Sequence, residues 1–348
     1  LGTMKTNDGN KETGLKKSTL INQYMENHIV DQEKPIAIIG MSGKFPKAEN
    51  LDDFWENIKN GIDCVSEIPN ERWRLNDFYE PDMELAIKQQ LSYCKVGGFI
   101  DGYANFDSQF FKISPAEALV MDPQERQILE QCWKVFENAG YTKKRIQEEF
   151  HGNIGVFVGV TRTGYDLYGP KLWENGKQIL LGTSFSSMSN RISYFFDLKG
   201  PCMSIDTMCS SSLTALHEAC EHIRRGECEM SLLASANIYT HSATYKQFCQ
   251  KRMLSLKGRC YAFSADADGF VPGEGVGAIL LKPLSKAIKD HDQIHGIIRS
   301  TVVNHCGKTS GFTVPSPDAQ KDMIINALRK ANINPEEITY VEAHGTGT

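Results

Sequence analysis

Short apolar runs alternate along the chain with segments whose apolar residues recur every three or four positions. Continuous apolar runs are typical of strands buried inside a sheet, whereas the longer spacing is typical of amphipathic helices. The first run, Ile36-Ala37-Ile38-Ile39, ends at Gly40 and favours a buried parallel strand. The apolar runs predict strands at 36–39, 154–160, 203–205, 231–236, 278–281, 294–303 and 338–342.

The amphipathic segments predict helices between several of these strands. The clearest helix begins after Asp122, a good N-cap residue, with Pro123 in the first turn and Glu125 completing a capping box. Further helices are predicted at 53–59, 210–225 and 320–331. Strands that alternate with helices predict an α/β fold with largely parallel sheets.

Residues 1–34 differ from the rest of the chain because they are polar and rich in Lys, Asn and Glu. Five apolar residues recur there at helical spacing after Ser18, a suitable N-cap: Leu20, Ile21, Tyr24, Met25 and Ile29. Two interpretations stay open for this extension. It is either a linker with one surface helix or a segment that docks onto another module.

Composition and charge narrow the classes of function. The chain has 348 residues, 41% hydrophobic and 23% charged, which is ordinary for a soluble globular protein. A formal net charge of −5 does not favour binding to nucleic acid or to an anionic membrane. No apolar run is long enough to span a bilayer, and the N-terminal stretch lacks the pattern of a secretory signal. We therefore expect a cytoplasmic protein that binds neither nucleic acid nor membrane.

The ten cysteines are spread over the whole chain, and no two of them are three positions apart. This spacing excludes the CxxC motifs of zinc and redox sites. Most of these residues are expected to be reduced, buried thiols that pack as small hydrophobic groups. A reactive cysteine would be the exception.

Three segments look like ligand-binding motifs but lack required features. The run from Gly40 to Phe45 has no hydroxyl residue after its lysine, which a P-loop needs. The glycines at 273, 275 and 277 precede a strand, so no helix N-terminus is available there for a phosphate. His217 and His222 are five positions apart, about 140° round a helix, whereas metal ligands share the i, i+4 face. We expect no metal site.

Cys209 is a candidate nucleophile because of its place between a predicted strand and a predicted helix. The chain turns sharply at Thr207–Met208, and a helix with the small polar start Ser210-Ser211-Ser212 follows. The N-terminus of a helix carries about half a positive charge and unpaired N–H groups. These favour a thiolate and can bind the oxyanion of an attacked carbonyl. From position alone, a buried structural cysteine is an equally good interpretation.

His344 is a second candidate, because it directly follows the strand predicted at 338–342. It opens the glycine-rich run His344-Gly-Thr-Gly-Thr348. In an α/β fold, active-site loops follow the carboxyl ends of strands. His344 is therefore a candidate partner of Cys209, although spacing alone does not establish that the two residues meet.

These motifs resemble the β-ketoacyl synthase (ketosynthase) domains of modular polyketide synthases. The resemblance is carried by Asp206-Thr-Met-Cys209-Ser-Ser-Ser and by Glu342-Ala-His344-Gly-Thr-Gly-Thr348. It extends over residues 34–348 through further motifs at 36–46, 121–126, 189–194 and 266–275. The run at 303–315 is similar to ketosynthases of the trans-acyltransferase type.

The resemblance implies a thiolase-like fold, in which two similar α/β halves stack in five αβαβα layers, normally as a homodimer. It divides the chain into an extension at 1–34, an N-terminal half at 35–290 and the start of an incomplete C-terminal half at 291–348. No bound cofactor is implied. The implied partners are acyl carrier proteins, which carry the substrates on phosphopantetheine, and other polyketide synthase domains.

The resemblance also implies a mechanism. Cys209 would accept an acyl chain from one carrier protein, and a malonyl unit on a second would lose CO2 and attack the Cys209 thioester. His344 would stabilise the enolate, and Thr346 and Thr348 would hydrogen-bond the pantetheine arm. The backbone N–H of Cys209 would be one oxyanion donor. Met208 stands where alanine is common in the family and can narrow the acyl pocket.

Other functions stay open beside an elongating ketosynthase. The family uses a second histidine and a lysine that lie past position 348, and His305 does not occupy that motif. A non-elongating ketosynthase would only pass the acyl chain between carriers, and a non-catalytic scaffold would only dock them. A cysteine hydrolase has no signature in the sequence. Basic residues at 224–225, 251–252 and 257–259 are candidates for docking an acidic carrier, with an ordinary solvated surface as the alternative.

Overall fold

The structure, a computed structural model, describes residues 34–162, 164–182 and 184–348. The described residues divide into two compact units. The larger comprises Ile36–Ile297 with Glu342–Thr348, and the smaller includes Ile298–Val341. The predicted N-terminal extension lies outside the described residues except for Lys34. The predicted domain boundaries stay predictions.

A six-stranded sheet runs through the larger unit. Its spatial order is β5-β4-β6-β7-β1-β8, and β2 and β3 form a second, two-stranded sheet. The strands are β1 (Ile36–Lys44), β2 (Ser66–Glu67), β3 (Val96–Gly97), β4 (Ile154–Val160), β5 (Cys202–Ile205), β6 (Met230–Asn237), β7 (Gly275–Pro283) and β8 (Gly296–Ile298).

The six-stranded sheet is mixed, so the prediction of largely parallel sheets is confirmed only in part: β4, β5, β6 and β1 run in one direction and β7 runs against them. β4 pairs in parallel with β5 and β6, whereas β7 pairs antiparallel with both β6 and β1. The reason is that the connection from β6 to β7 does not cross back over the sheet. Gly275 at the start of β7 pairs with Asn237 at the end of β6, so β7 runs in the opposite direction. The strand predicted as parallel at 36–39 is extended into β1 and pairs antiparallel with β7.

Helices lie between and after the strands along the chain. They are α1 (Leu51–Lys59), α2 (Met83–Gln89), α3 (Pro115–Val120), α4 (Pro123–Asn138), α5 (Lys143–Phe150), α6 (Tyr168–Glu174), α7 (Phe185–Phe196), α8 (Ser211–Arg224), α9 (Ala243–Gln250), α10 (Leu284–Lys289) and α11 (Pro317–Ala331), with 3-10 turns at Tyr165–Leu167, Met208–Ser210 and Pro335–Glu337. None of the helices in these described ranges is long and apolar enough to cross a membrane.

Helices cover both faces of β4. Val156 lies in one apolar cluster with Ile128 of α4 and Ile192 of α7. Phe157, which points to the opposite face, lies with its ring centre 5.0 Å from that of His222 in α8. Because both faces are covered, every residue of β4 is buried. The continuous apolar run that predicted this strand is explained by that double burial.

The predicted start of α4 is confirmed, but its capping box is not. The Asp122 carboxylate accepts a hydrogen bond from the N–H of Gln124 at 2.9 Å. The N–H of Asp122 donates to the carbonyl of Gly182 at 3.1 Å. Glu125 instead accepts a hydrogen bond from Nε of Arg191 at 2.7 Å. In a capping box the Glu125 carboxylate would accept from the N–H of Asp122. Here that N–H and that carboxylate each bond to a residue distant in the sequence instead.

The smaller unit is built around α11. Ser316 caps this helix, with its hydroxyl accepting from the N–H of Ala319 at 3.2 Å. Ser300 donates from Oγ to the carbonyl of Ala327 at 2.8 Å and thereby ties the preceding segment to the helix. The helix predicted at 320–331 is confirmed and begins three residues earlier than predicted.

Two strands predicted near the end of the chain are corrected. Of the run at 294–303, only Gly296–Ile298 is a strand. Residues 338–342 form no strand within the described part of the chain. Tyr340 and Val341 are 75% and 74% exposed. A strand requires hydrogen bonding to a neighbouring strand, and an apolar pattern does not supply that neighbour.

Candidate active site

Cys209 lies between β5 and α8, where its place in the sequence predicted it. Met208 adopts a left-handed backbone conformation, with φ at 57°, and this turns the chain after β5. The 3-10 turn Met208–Ser210 then leads into α8. Cys209 is exposed at the start of this helix. The interpretation as a buried structural cysteine is therefore wrong.

Polar side chains hold this turn in place. Ser211 accepts at Oγ from the N–H of Thr207 at 2.9 Å and donates to the carbonyl of Met208 at 2.7 Å. The Asp206 carboxylate accepts from the N–H of Met208 at 3.0 Å. A left-handed backbone costs a non-glycine residue about 1–3 kcal/mol, which such bonds help to offset. The backbone at Cys209 is therefore fixed by its neighbours.

β4 approaches the start of α8 so closely that only glycine fits at position 159. A Cβ on Gly159 would lie 2.7 Å from backbone atoms of Ser211 and Ser212. Ser235 of β6 donates from Oγ to the Gly159 carbonyl at 2.6 Å. The carboxyl ends of β4 and β6 thus set the position of α8. Ligand sites of α/β sheets lie at this edge.

The loop that contains His344 packs on the segment before β7. The carbonyl of Gly347 accepts from the N–H of Gly269 at 3.1 Å. A Cβ on Gly347 would overlap the carbonyl oxygen of Cys260. The φ of Gly347 is 72°, a region that residues with side chains rarely adopt. Glycine is therefore required for this close packing.

The structure brings together some of the predicted site residues. The hydroxyls of Thr346 and Thr348 lie 2.8 Å apart and share a hydrogen bond. Cys209 and His344 belong to the same compact unit. Among the residues that the structure describes, however, no hydrogen bond joins the side chains of Cys209 and His344.

Tyr239 and Glu274 are buried near this site, and the sequence pattern did not reveal them. Burial raises the pKa of Tyr239 to about 12; a hydrogen bond with Asn237 opposes this, and the nearby Glu274 and Cys209 add to it. Burial raises the pKa of Glu274 to about 7, against the effect of the Arg72 guanidinium. Glu274 stands within the motif at 266–275. A charged residue directly before an apolar strand normally marks the end of that strand, so the pattern did not indicate a functional role for Glu274.

The described residues contain no group of three or more His, Cys, Asp or Glu side chains arranged to hold a metal ion. Nδ1 of His222 lies in contact with the Glu227 carboxylate. His305 accepts a hydrogen bond at Nδ1 from the N–H of Gly307 at 2.9 Å.

A cavity of about 550 Å³ is lined in part by Cys260, against which the His344 loop packs.

Comparison with known proteins identifies the family. The family model described as "Beta-ketoacyl synthase, N-terminal domain" matches residues 33–287, and the one described as "Beta-ketoacyl synthase, C-terminal domain" matches 295–348. The chain is 47% identical over 321 residues to polyketide synthase PksL of Bacillus subtilis. It is 48% identical over 313 residues to polyketide synthase ThaG of Burkholderia thailandensis. These matches cover 91% and 90% of the chain but only 7% and 6% of the two relatives.

A solved structure shows the same fold. The oxazolomycin ketosynthase domain OzmH KS7 of Streptomyces albus superposes with a TM-score of 0.87 at 44% sequence identity. The match covers 91% of this chain and 53% of that chain. The chain therefore belongs to the β-ketoacyl synthase family, the acyl-transferring condensing enzymes of polyketide synthases, and has their thiolase-like ketosynthase fold.

Proposed function

We propose that Cys209 accepts an acyl or polyketide chain from the phosphopantetheine arm of an acyl carrier protein and that the chain is then extended by decarboxylative condensation. The observation that carries the proposal is the exposed thiol at the start of α8. A helix N-terminus favours the thiolate, which is the nucleophilic form. Its free N–H groups suit the oxyanion that forms when a thioester is attacked.

Two steps transfer and extend the acyl chain. The Cys209 sulfur attacks the thioester carbonyl, the pantetheine thiol leaves, and the acyl group is held on Cys209. The malonyl thioester then loses CO2, its electron pair forms an enolate, and the enolate carbon bonds to the acyl carbonyl while the Cys209 sulfur leaves. In this scheme His344 stabilises the enolate, and Thr346 and Thr348 hydrogen-bond the pantetheine arm. The scheme uses no metal and no redox cofactor.

The test is an extension assay with the full ketosynthase domain. An acyl-pantetheine thioester is added first, malonyl-carrier protein second, and products are weighed by mass spectrometry. Elongation gives a β-ketoacyl chain two carbons longer. Transfer of the unchanged acyl group without this product would support the non-elongating alternative. A domain that gains no acyl group at all would support the docking scaffold and contradict the proposal.

Replacing Gly347 by alanine should slow condensation about a hundredfold, because a displacement of roughly 1 Å near reacting groups can cost that much. The added methyl group would overlap the Cys260 carbonyl and move the loop of His344. The rate of β-ketoacyl formation measures the effect. Gly140→Ala is the matched control, because Gly140 has the same φ of 72° but no atom within 4 Å of an added Cβ. If Gly347→Ala kept the wild-type rate, this packing would not position His344.

The partners proposed are acyl carrier proteins and other domains of a trans-acyltransferase polyketide synthase. The basic residues considered for carrier docking mostly pair with carboxylates of this chain: Arg224 with Glu221, Arg225 with Glu227, Arg252 with Glu84, Lys257 with Asp266, and Arg259 with Asp63. Lys251 is exposed and has no ion pair within the described residues. Lys251 is therefore the candidate that remains available to an acidic carrier protein.

Lys251→Glu is expected to raise the KM for an acidic carrier protein roughly three- to fivefold and to leave kcat unchanged, as loss of one exposed ion pair would. Steady-state kinetics with varied carrier concentration measures both constants. Lys144→Glu makes the same charge change on α5 and serves as the control. An unchanged KM in Lys251→Glu would place carrier docking elsewhere.

We also propose a homodimer formed through β5. This strand ends the order of the six-stranded sheet, and an exposed strand edge is a ready template for pairing with a second copy. Tyr194 of α7, the helix that packs on β5, is 88% exposed. Sedimentation equilibrium of the full domain should give twice its chain mass.

The cytoplasmic location stays a prediction.

A further inference from the structure

We propose that the buried pair of Arg72 and Glu274 is a positioning pair, which holds the chain beside Cys209 in register with the segment that carries the His344 loop. The inference rests on the proposed function, because it gives these residues a task in that reaction. It assigns no contact with substrate to either side chain. The contacts of Glu274 with three separate parts of the larger unit support it: Arg72, residues 98–100 and Tyr239.

The Glu274 carboxylate is fully satisfied and fully buried. Oε1 accepts from the N–H of Tyr239 at 2.9 Å, and Oε2 accepts from the N–H of Ile100 at 2.9 Å and from Nη2 of Arg72 at 2.6 Å. Both side chains of the ion pair have no exposed surface. Arg72 is held in turn, because Nη2 donates to the Ile100 carbonyl at 3.0 Å and the guanidinium lies 3.3 Å from the ring centre of Tyr103.

On one side, this carboxylate fixes the chain that leaves β6. Tyr239 lies two residues after β6. Ser235 of β6 donates to the Gly159 carbonyl, and Gly159 packs against the backbone of Ser211, two residues from Cys209. The same chain is tied a second time, since Nδ2 of Asn237 donates to the Gly273 carbonyl at 2.8 Å. Residues 237 and 239 are therefore both anchored on the short segment 273–274.

On the other side, the backbone next to Glu274 leads to the His344 loop. The N–H of Gly98 donates to the Pro272 carbonyl at 2.9 Å, and the N–H of Glu274 donates to the Gly98 carbonyl at 2.8 Å. Val271 donates to the sulfur of Cys260 at 3.4 Å. Cys260 and Gly269 are the residues on which Gly347 packs. A shift at position 274 would therefore move both sides of the proposed site.

Glu274→Asp tests positioning with little change of charge. Aspartate can keep the ion pair with Arg72, but its carboxylate sits one methylene, about 1.5 Å, further back and cannot reach both N–H groups. We expect kcat for condensation to fall roughly 10- to 100-fold, as misplaced reacting groups predict, with the KM for carrier protein changed less than twofold. The rate of Cys209 acylation, followed by intact mass, should fall less than the rate of condensation.

The control separates positioning from loss of stability. Ile146 is fully buried in α5, away from the contacts described above, and Ile146→Ala or Ile146→Val can be chosen to match the loss of unfolding free energy in Glu274→Asp. If the matched Ile146 variant loses the same kcat, or if Glu274→Asp keeps the wild-type kcat, the positioning pair is refuted. If the wild type forms the acyl-enzyme and condenses it, and Glu274→Asp keeps the same kcat, the positioning role is refuted and the proposed function stands. A wild type that forms no acyl-enzyme would instead refute the proposed function.

Discussion

The Cys209→Ala variant should gain no acyl mass when it is incubated with an acyl-pantetheine thioester, whereas the wild type should gain one acyl group. Alanine has no nucleophile, and the helix N-terminus alone cannot form the covalent intermediate. Formation of the β-ketoacyl product should fall on the order of a thousandfold or more, because removal of a nucleophile leaves only binding and electrostatic effects. Intact-protein mass spectrometry and the extension assay measure the two effects.

Other cysteines supply the control for this experiment. Cys260 and Cys306 are partly exposed and could react with a thioester without any catalytic role. Cys306→Ala should therefore acylate like the wild type. If Cys209→Ala acquired the same mass as the wild type, the acyl group would be on another residue and the nucleophile would be wrongly assigned.

Lys282→Met should lower the free energy of unfolding by about 3–5 kcal/mol, since breaking a buried ion pair leaves an uncompensated charge. The Lys282 side chain has no exposed surface, and Nζ donates at 2.6 Å to both Asp290 and Asp292. A third bond runs to the hydroxyl of Tyr141 at 2.8 Å. The residue lies in β7 opposite Ala37 of β1, so its loss would disturb the pairing of these strands.

Urea unfolding measures this loss of stability. Two further variants show whether it comes from the buried ion pairs. Lys95→Met removes an exposed partner of Glu67 and should change the midpoint little. Combining Lys282→Met with Asp292→Asn should recover part of the loss, because it removes one of the carboxylates left buried. A Lys282→Met variant as stable as the wild type would show that the network adds nothing to folding.

The pH dependence of this network follows from the two pKa shifts. The hydrogen bond from Lys282 lowers the pKa of Asp290 below its ordinary value of 3.8. The contribution of the Asp290 carboxylate to the free energy of unfolding is therefore lost as the pH falls below 3.8. Burial lowers the pKa of Lys282, but hydrogen bonds to the two aspartates and Tyr141 outweigh it and raise the pKa above 10.5. The contribution of the Lys282 ammonium group to the free energy of unfolding is therefore lost as the pH rises above 10.5. The difference in stability between wild type and Lys282→Met should therefore be largest between these limits.

Local structure was predictable wherever neighbouring residues decide it. The strand at 154–160 was predicted residue for residue, because a run buried on both faces must be apolar throughout. Asp122 and the turn before Cys209 were predictable because caps and turns depend on a few adjacent residues. The motifs around Cys209 and His344 were sufficient to indicate the family, which the family comparison confirmed.

Contacts between distant residues were not predictable. Arg72 and Glu274 are 202 positions apart, and Lys282 lies 141 positions from Tyr141. A linear pattern records the polarity of a residue but not which buried group will satisfy its charge. For the same reason Glu125 pairs with Arg191 instead of closing a local capping box.

The amino-acid pattern was enough to predict most of the apolar strands, the main helices, the turn between strand and helix at Cys209, and the family. The folded chain was needed to show that β7 returns antiparallel beside β6, that 338–342 is not a strand among the described residues, and that Glu274 bonds to both Tyr239 and Gly98. The physical reason is that local periodicity specifies which face of an element is buried. Its hydrogen-bonding and charged partners are specified only when the whole chain has folded around it.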